Sequence, residues 1–175
     1  MDFRILTEKD KNTYKQTILE TMELCDKDFV PPLSARSSTT QKTLVGGSSS
    51  KEGLLSYCNE MLSQVVLGAF EGDNLIGFVS FKENYVSDVI SEKGLPNIYL
   101  STLMLKAEAR GKNLTRQMYD YLFNTLYADR SIFTRTWSTN IAHLKILEKF
   151  DFALIKTIEN DRGNGVDTVY FALKR

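Results

Sequence analysis

Residues 109–123 read "ARGKNLTRQMYDYLF". Arg110, Lys112 and Arg116 gather at the front of a segment in which Leu114, Met118, Tyr121, Leu122, Thr125 and Leu126 follow helical spacing. Cations near a helix N-terminus are disfavoured by the macrodipole by about 0.3–1 kcal/mol each, so their crowding suggests an anionic partner. A strand that turns tightly into a helix presents free backbone N–H groups at the helix's positive end, a ready seat for a phosphate. Those donors belong to the backbone, so any residue except proline supplies them; glycine adds clearance and access to positive φ. Asn113 tolerates a left-handed conformation better than most residues, whereas Thr115 does not. The competing reading is a capped surface helix, with Asn113 as N-cap and three cations on a solvated turn. Alone, the stretch leaves both readings open.

Its surroundings read as alternating elements. Upstream, NIYLSTLML (97–105) is rich in β-branched and apolar residues and forms a buried strand. Downstream, SIFTRTW (131–137) is another strand, STN (138–140) offers a cap, and IAHLKILEKF (141–150) forms a helix. FALIKTIE (152–159) and VDTVYFALK (166–174) are strands joined by the turn residues NDRGNG. Earlier, VVLGAF and LIGFVSFK flank EGDN, a hairpin signal, and YVSDVISEKGLP (85–96) reads as a short helix or excursion. DFRIL (2–6) alternates like a strand, Thr7 caps a helix over about 8–26, and a second helix covers about 51–64. Between them Pro31, Pro32 and a Ser/Gly tract make a loop, either a mobile surface segment or a flap over a substrate. The order predicts one α/β (α+β) domain over 1–175: a mixed, mostly antiparallel sheet of about seven strands with about four helices.

Composition removes several classes of function. Lys plus Arg equal Asp plus Glu at 22 each, so there is no excess positive charge for general nucleic-acid binding. Cys25 and Cys58 form no C-x-x-C pair, and His143 is the single histidine, so no metal site is expected. A Cys58–His143 dyad stays open beside the reading of two inert residues. The charged start MDFRILTEKDK is no signal peptide and no apolar run reaches membrane-spanning length, which predicts a cytoplasmic protein without a membrane partner.

Taken together, the segments resemble the GNAT superfamily of acyl-CoA-dependent N-acetyltransferases. That family places (Arg/Gln)-x-x-Gly-x-(Gly/Ala) at the start of a helix after a strand, and Arg110-Gly111-Lys112-Asn113-Leu114-Thr115 occupies the same place, with Asn113 and Thr115 replacing the small residues. Leu105 and Ala107 stand where the family often has Val-x-Pro. STNIAHLKILEKFDF (138–152) is similar to the family's second motif: Asn140, Glu148, Lys149 and Phe152 match, and Asp151 replaces a glycine. The hairpins EGDNLIGF and NDRGNGVDTVYFALK fall where that fold places its own, so the resemblance covers nearly the whole chain in order.

The resemblance implies acetyl-CoA as cosubstrate and a primary amine as acceptor. Carried over, Arg110, Gly111, Lys112, Asn113, Leu114 and Thr115, with Arg116, would hold the pyrophosphate. Leu103, Met104 and Leu105 would pair with pantetheine, and Asn140 would bond its amide, its other reading being a helix cap. The family often uses a Tyr in the last helix as general acid; the matching residue is Leu147, which donates no proton. His143, four residues earlier on the same helix face, is the candidate substitute, against a structural role. Tyr99 and Ser101 on the preceding strand are the other candidates, and no base is evident. Asp26 and Asp28 beside Phe29 either attract a cationic amine or simply end a helix. A homodimer is compatible with this reading. The rival is a non-catalytic acyl-CoA-binding domain of the same fold, and a nucleotide-binding protein stands further off because no G-x-x-x-x-G-K-(S/T) loop is present.

Overall fold

One strand, β4 (Asn97–Leu105), organises the molecule, because it is buried on both faces and lies at the centre of the sheet. The computed structural model describes residues 1–175. In chain order the elements are β1 (Asp2–Ile5), α1 (Glu8–Cys25), α2 (Lys51–Leu62), β2 (Val65–Glu71), β3 (Asn74–Glu83), β4, α3 (Leu114–Tyr121), β5 (Ser131–Trp137), α4 (Ile141–Lys149), β6 (Ala153–Ile158) and β7 (Thr168–Leu173). The seven strands form one sheet in the order β1-β2-β3-β4-β5-β7-β6. Every neighbouring pair is antiparallel except β4 and β5, which run parallel. The α/β expectation of seven strands and four helices is met.

Strand alternation sorts the core into two layers. Val66, Phe70 and Phe78 meet Ile18 and Met22 of α1 and Leu54, Tyr57 and Cys58 of α2. On the other face Leu67, Val79 and Ile98 meet Leu114, Met118 and Leu122 of the α3 region and Leu147 of α4. Cys58 therefore lies across the sheet from His143, and the open dyad is removed.

β4 changes phase once. Ser80 faces Thr102 and Phe81 faces Leu100, so Ser101 is an extra residue, a β-bulge. Before it Ile98 and Leu100 point to the α3/α4 layer; after it Leu103 and Leu105 do, while Thr102 and Met104 point to the α1/α2 layer.

Local chemistry explains the element ends. Thr7 caps α1 through a reciprocal box: its Oγ1 accepts Asp10 N at 3.1 Å and its own N donates to Asp10 Oδ2 at 2.9 Å. Ser50 caps α2 by accepting Gly53 N at 2.9 Å. After Tyr121, α3 widens into a π turn over Leu122–Leu126, and the buried face is Leu114, Met118, Tyr119, Leu122 and Phe123. Thr125 and Leu126 fall outside the core despite their spacing, because the π turn rotates them away. Residues 85–96 hold only a 3₁₀ turn at Glu92–Gly94, closed by Asn97, whose side chain bonds both Tyr85 N (2.9 Å) and Tyr85 O (3.0 Å).

Between α1 and α2 the chain is a packed strap over residues 29–41, whereas the Ser/Gly tract at 45–50 is exposed, as expected of a surface loop. Leu33 and Leu44 are fully buried, and Asp26 accepts both the amide and the hydroxyl of Ser34, at 2.8 and 2.7 Å. A side chain at Gly47 would meet Ala35 O at 2.0 Å, so strap and loop touch at backbone distance. No helix is long and apolar enough to cross a membrane.

Candidate active site

β4 and β5 are in register only from Asn97–Leu100 against Ser131–Thr134. Beyond the bulge they part, and the β5-facing edge of residues 101–105 has no strand beside it. A cavity of about 560 Å³ fills the gap, lined by Leu100–Leu105 on one side and Thr134–Trp137 on the other. It passes through the sheet. On the α3/α4 side it meets Gly111, Asn113–Arg116, Tyr119, Asn140 and His143; on the strap side it meets Asp28, Phe29, Arg36, Thr39 and Arg162.

The turn into α3 borders this cavity. Gly111 (φ 73°) and Asn113 (φ 62°) both take left-handed conformations, so Asn113 does at its position what a glycine would do. Asn113 makes no side-chain cap bond. The first α3 amide bonded within the chain is Gln117 N, to Asn113 O at 3.2 Å. The N–H groups of 111–116 have no protein acceptor, which leaves a run of donors at the helix's positive end. Leu114 beneath them is core, and Arg116 is exposed at the cavity rim.

Two of the expected cations behave differently. The Arg110 guanidinium turns back: Nη2 donates to Asp28 Oδ2 at 2.8 Å and to Cys25 Sγ at 3.0 Å, and Nε reaches Leu105 O at 3.4 Å. It ties the turn to the strap instead of standing free for a phosphate, and its bond to Asp28 raises its pKa. Lys112 does not line the cavity. Asp28 is consumed by Arg110 and Asp26 by Ser34, so neither carboxylate is free to attract a cationic amine.

Asn140 is the N-cap of α4: its Oδ1 accepts His143 N at 3.3 Å and its Nδ2 donates to Thr136 Oγ1 at 3.0 Å. His143 opens partly onto the cavity, and its Nε2 lies 2.9 Å from the hydroxyl of Tyr119. With the Tyr119 hydroxyl as the donor to Nε2, the ring proton lies on Nδ1. Desolvation holds the His143 pKa down at about 4, so the ring is neutral at ordinary pH. Burial pushes the Tyr119 hydroxyl far above the usual tyrosine range. Leu147, in the family's acid position, is fully buried in the core and does not border the cavity; Ile146 does.

Ser101 lines the cavity, and its hydroxyl is held by Ser80 Oγ at 2.8 Å and by Gln64 Oε1. Tyr99 precedes the bulge and does not line this cavity: it packs with Ile90, Phe133 and Ala172 beside a separate cavity of about 120 Å³. Tyr99 and Ser101 thus share the α1/α2 face, as alternation predicts, but only Ser101 borders the large cavity.

Sequence reading did not find Tyr119, Arg36, Arg135 or Arg162. Alternation in SIFTRTW signals that Arg135 shares a face with Phe133 and Trp137, but Arg36 and Arg162 sit in irregular segments without a period.

The sequence profile of the acetyltransferase (GNAT) family matches residues 35–152. No curated protein sequence matches significantly. Among solved structures, a ribosomal-protein-alanine N-acetyltransferase from Brucella melitensis superposes with a TM-score of 0.67 at 14% identity, covering 100% of both chains. The aminoglycoside 6'-N-acetyltransferase from Enterococcus faecium gives 0.67 at 13% identity, over 99% of this chain and 97% of the other. The Salmonella typhimurium protein yncA, solved with its cofactor acetyl-CoA, gives 0.60 at 14% identity, over 99% and 93%. At such identities these likenesses speak for the fold, whereas the profile spans the strap, both central strands, the donor turn and α4. The chain belongs to the GNAT acetyltransferase family.

Proposed function

We propose that the protein transfers the acetyl group of acetyl-CoA to a primary amine by direct attack on the thioester. The observation that carries this reading is the gap between β4 and β5, which opens directly against the unpaired N–H groups of 111–116. The residues fit the cosubstrate: an anion seat lies at one end, an unpaired strand edge in the middle, and a through-sheet opening at the other end.

In this reading Gly111 to Arg116 donate backbone N–H bonds to the pyrophosphate, and the Arg116 guanidinium adds charge from the rim. Arg110 acts by holding the turn's shape. The unpaired edge of Leu103, Met104 and Leu105 bonds the amides of pantetheine as a neighbouring strand would, and Asn140 contributes its second Nδ2 hydrogen. Backbone donors at the Ser101 bulge face the thioester oxygen as it gains charge. The amine nitrogen bonds to the acetyl carbon, the carbon–sulfur bond breaks, and the amine's surplus proton passes to cavity water. Neutral His143 offers its Nδ1–H as a hydrogen-bond donor to the departing thiolate, which takes up the proton released to cavity water, and Tyr119 favours that tautomer. With no free carboxylate in the cavity, positioning supplies most of the rate.

Saturating acetyl-CoA is expected to raise the melting temperature, and free CoA thiol should appear when a suitable amine is added. No thermal shift at millimolar acetyl-CoA sinks the proposal. A second reading has a specific observation behind it: the residue in the family's acid position, Leu147, is buried in the core. A non-catalytic acyl-CoA binder would show the thermal shift without thiol release across a broad amine panel.

A further inference from the structure

The strap side of the cavity carries a charge imbalance that the cosubstrate does not answer. The cavity lining contains five arginines (Arg36, Arg110, Arg116, Arg135, Arg162) and one carboxylate, Asp28. Asp28 is paired to Arg110. Arg116 stands at the donor turn. That leaves Arg36, Arg135 and Arg162, and none of them belongs to an ion pair.

Two of the three are buried and Arg135 is half-buried. Arg36 is 8% exposed and Arg162 is 6% exposed. Their recorded partners are backbone carbonyls and neutral hydroxyls. Arg36 Nε and Nη2 donate to Pro31 O at 3.1 and 2.9 Å. Arg162 Nη1 donates to Val30 O at 2.6 Å and Nε to Thr168 Oγ1 at 2.9 Å, which leaves Nη2 without a protein acceptor. Arg135 Nη1 donates to Gln41 O at 2.7 Å and Nη2 to Thr39 O at 3.3 Å. Asp161 is linked to Arg162 through the Thr168 hydroxyl and makes no direct ion pair with it.

The aromatic neighbours agree. Phe29 and Trp137 pack at 5.7 Å between ring centroids, with Arg36 lying 5.5 Å from the first ring and Arg162 5.6 Å from the second. These contacts soften the desolvation of a cation without neutralising it. Burial, and after it the charges of Arg36 and Arg135, bring the Arg162 pKa down to about 9 even though Asp161 opposes the shift, so the three groups feel one another. Buried like charges that lack a counter-charge are costly, and an anion entering among them relieves the cost.

We propose that Arg36, Arg135 and Arg162 form the seat for an anionic group on the acceptor, so that the substrate is a small amine bearing a carboxylate or a phosphate-type oxyanion. This rests on the acetyl-transfer reading of the same cavity. The strap closes the far end, since the carbonyl of Val30 is held by both Arg36 (3.3 Å) and Arg162 (2.6 Å). A compact zwitterion fits there: its anion binds the guanidiniums while its amine points back toward the gap at Ser101. Polyamines and aminoglycosides, which carry only positive charge, are disfavoured.

The test uses the full chain in two stages. First, thermal shift is measured with saturating CoA, so that the donor turn is occupied, and then with added succinate, inorganic phosphate or neutral succinamide. The expected result is a further rise with at least one anion and none with succinamide; the responding anion separates carboxylate from phosphate chemistry. Second, thiol release from acetyl-CoA is followed with amino acids, their carboxamides, aminoalkylphosphonates and a polyamine. Anionic amines should exceed their neutral counterparts by about 100-fold or more in kcat/KM. Arg162→Lys should reduce that ratio, and wild-type data decide the question if Arg162→Met does not fold. Equal or faster turnover of neutral or cationic amines overturns the inference. So does a CoA-induced shift with no further response to either anion when no amine is turned over. Absence of any CoA shift is a different outcome, because it removes the acetyl-transfer reading itself.

Discussion

His143 is where a single group sets a measurable pH dependence. Burial holds its pKa at about 4 in the fold, against the ordinary histidine value of 6.5. Between these values the unfolded chain binds a proton that the native state refuses, so stability rises with pH across that window. This contribution is fully present above pH 6.5 and is lost as pH falls toward 4. It amounts to at most about 3 kcal/mol, and cavity water around the ring reduces it. His143→Gln should therefore flatten the acid limb of a melting-temperature profile between pH 4 and 6.5. Tyr119→Phe removes the donor to Nε2 and should cost about 1 kcal/mol in denaturant unfolding. If the neutral Nδ1–H serves the leaving sulfur, the same variant lowers kcat several-fold with little change in KM for acetyl-CoA. A purely structural role would leave kcat unchanged.

At the scale of an element, the donor turn and α4 make separable predictions. Arg116 is exposed and has no recorded partner, so Arg116→Glu should keep the wild-type melting temperature and weaken acetyl-CoA binding about tenfold, as a calorimetric titration would read. Arg110→Ala should lower both, because its guanidinium joins Asp28, Cys25 and Leu105. In α4, Leu147→Tyr would not restore a general acid. The site is fully buried, and overpacking should cost about 1–3 kcal/mol in chemical denaturation with no gain in turnover. These elements also show what the sequence carries. The strands, the hairpins and the Thr7 cap follow periods and turn chemistry that act locally, so they can be read residue by residue. The left-handed turn at Asn113 was legible as a tolerance, and Asp151 (φ 58°) takes the glycine's conformation in the second motif in the same way. The bulge at Ser101 was hidden, because one inserted residue in an apolar run leaves no break in the alternation. Arg110 read as a free cation since its partners, Asp28 and Cys25, lie more than eighty positions away. The arginine cluster draws on three distant segments, and only the assembled fold brings them together.

For the whole molecule, β1–β4 and β5–β7 are two half-sheets joined by four residue pairs, Asn97–Leu100 with Ser131–Thr134. Helices on both faces brace the seam, but past the bulge the main-chain groups of the two halves do not satisfy one another. A ligand present at a hundred times its dissociation constant adds about 2.7 kcal/mol to the native state, or roughly 5–10 °C for a chain of this size. Amide exchange should slow most at 101–105 and 111–116 when CoA is added, and little at β1 or β6. The parted strands have one further consequence. A sheet missing a rung at its centre is a folded protein with a borrowed component, and on the proposed reading that component is a metabolite. The cohesion of the two halves then follows supply: when acetyl-CoA is abundant the seam is stitched along its length, and when it is scarce the molecule is most open to breathing where β4 and β5 diverge.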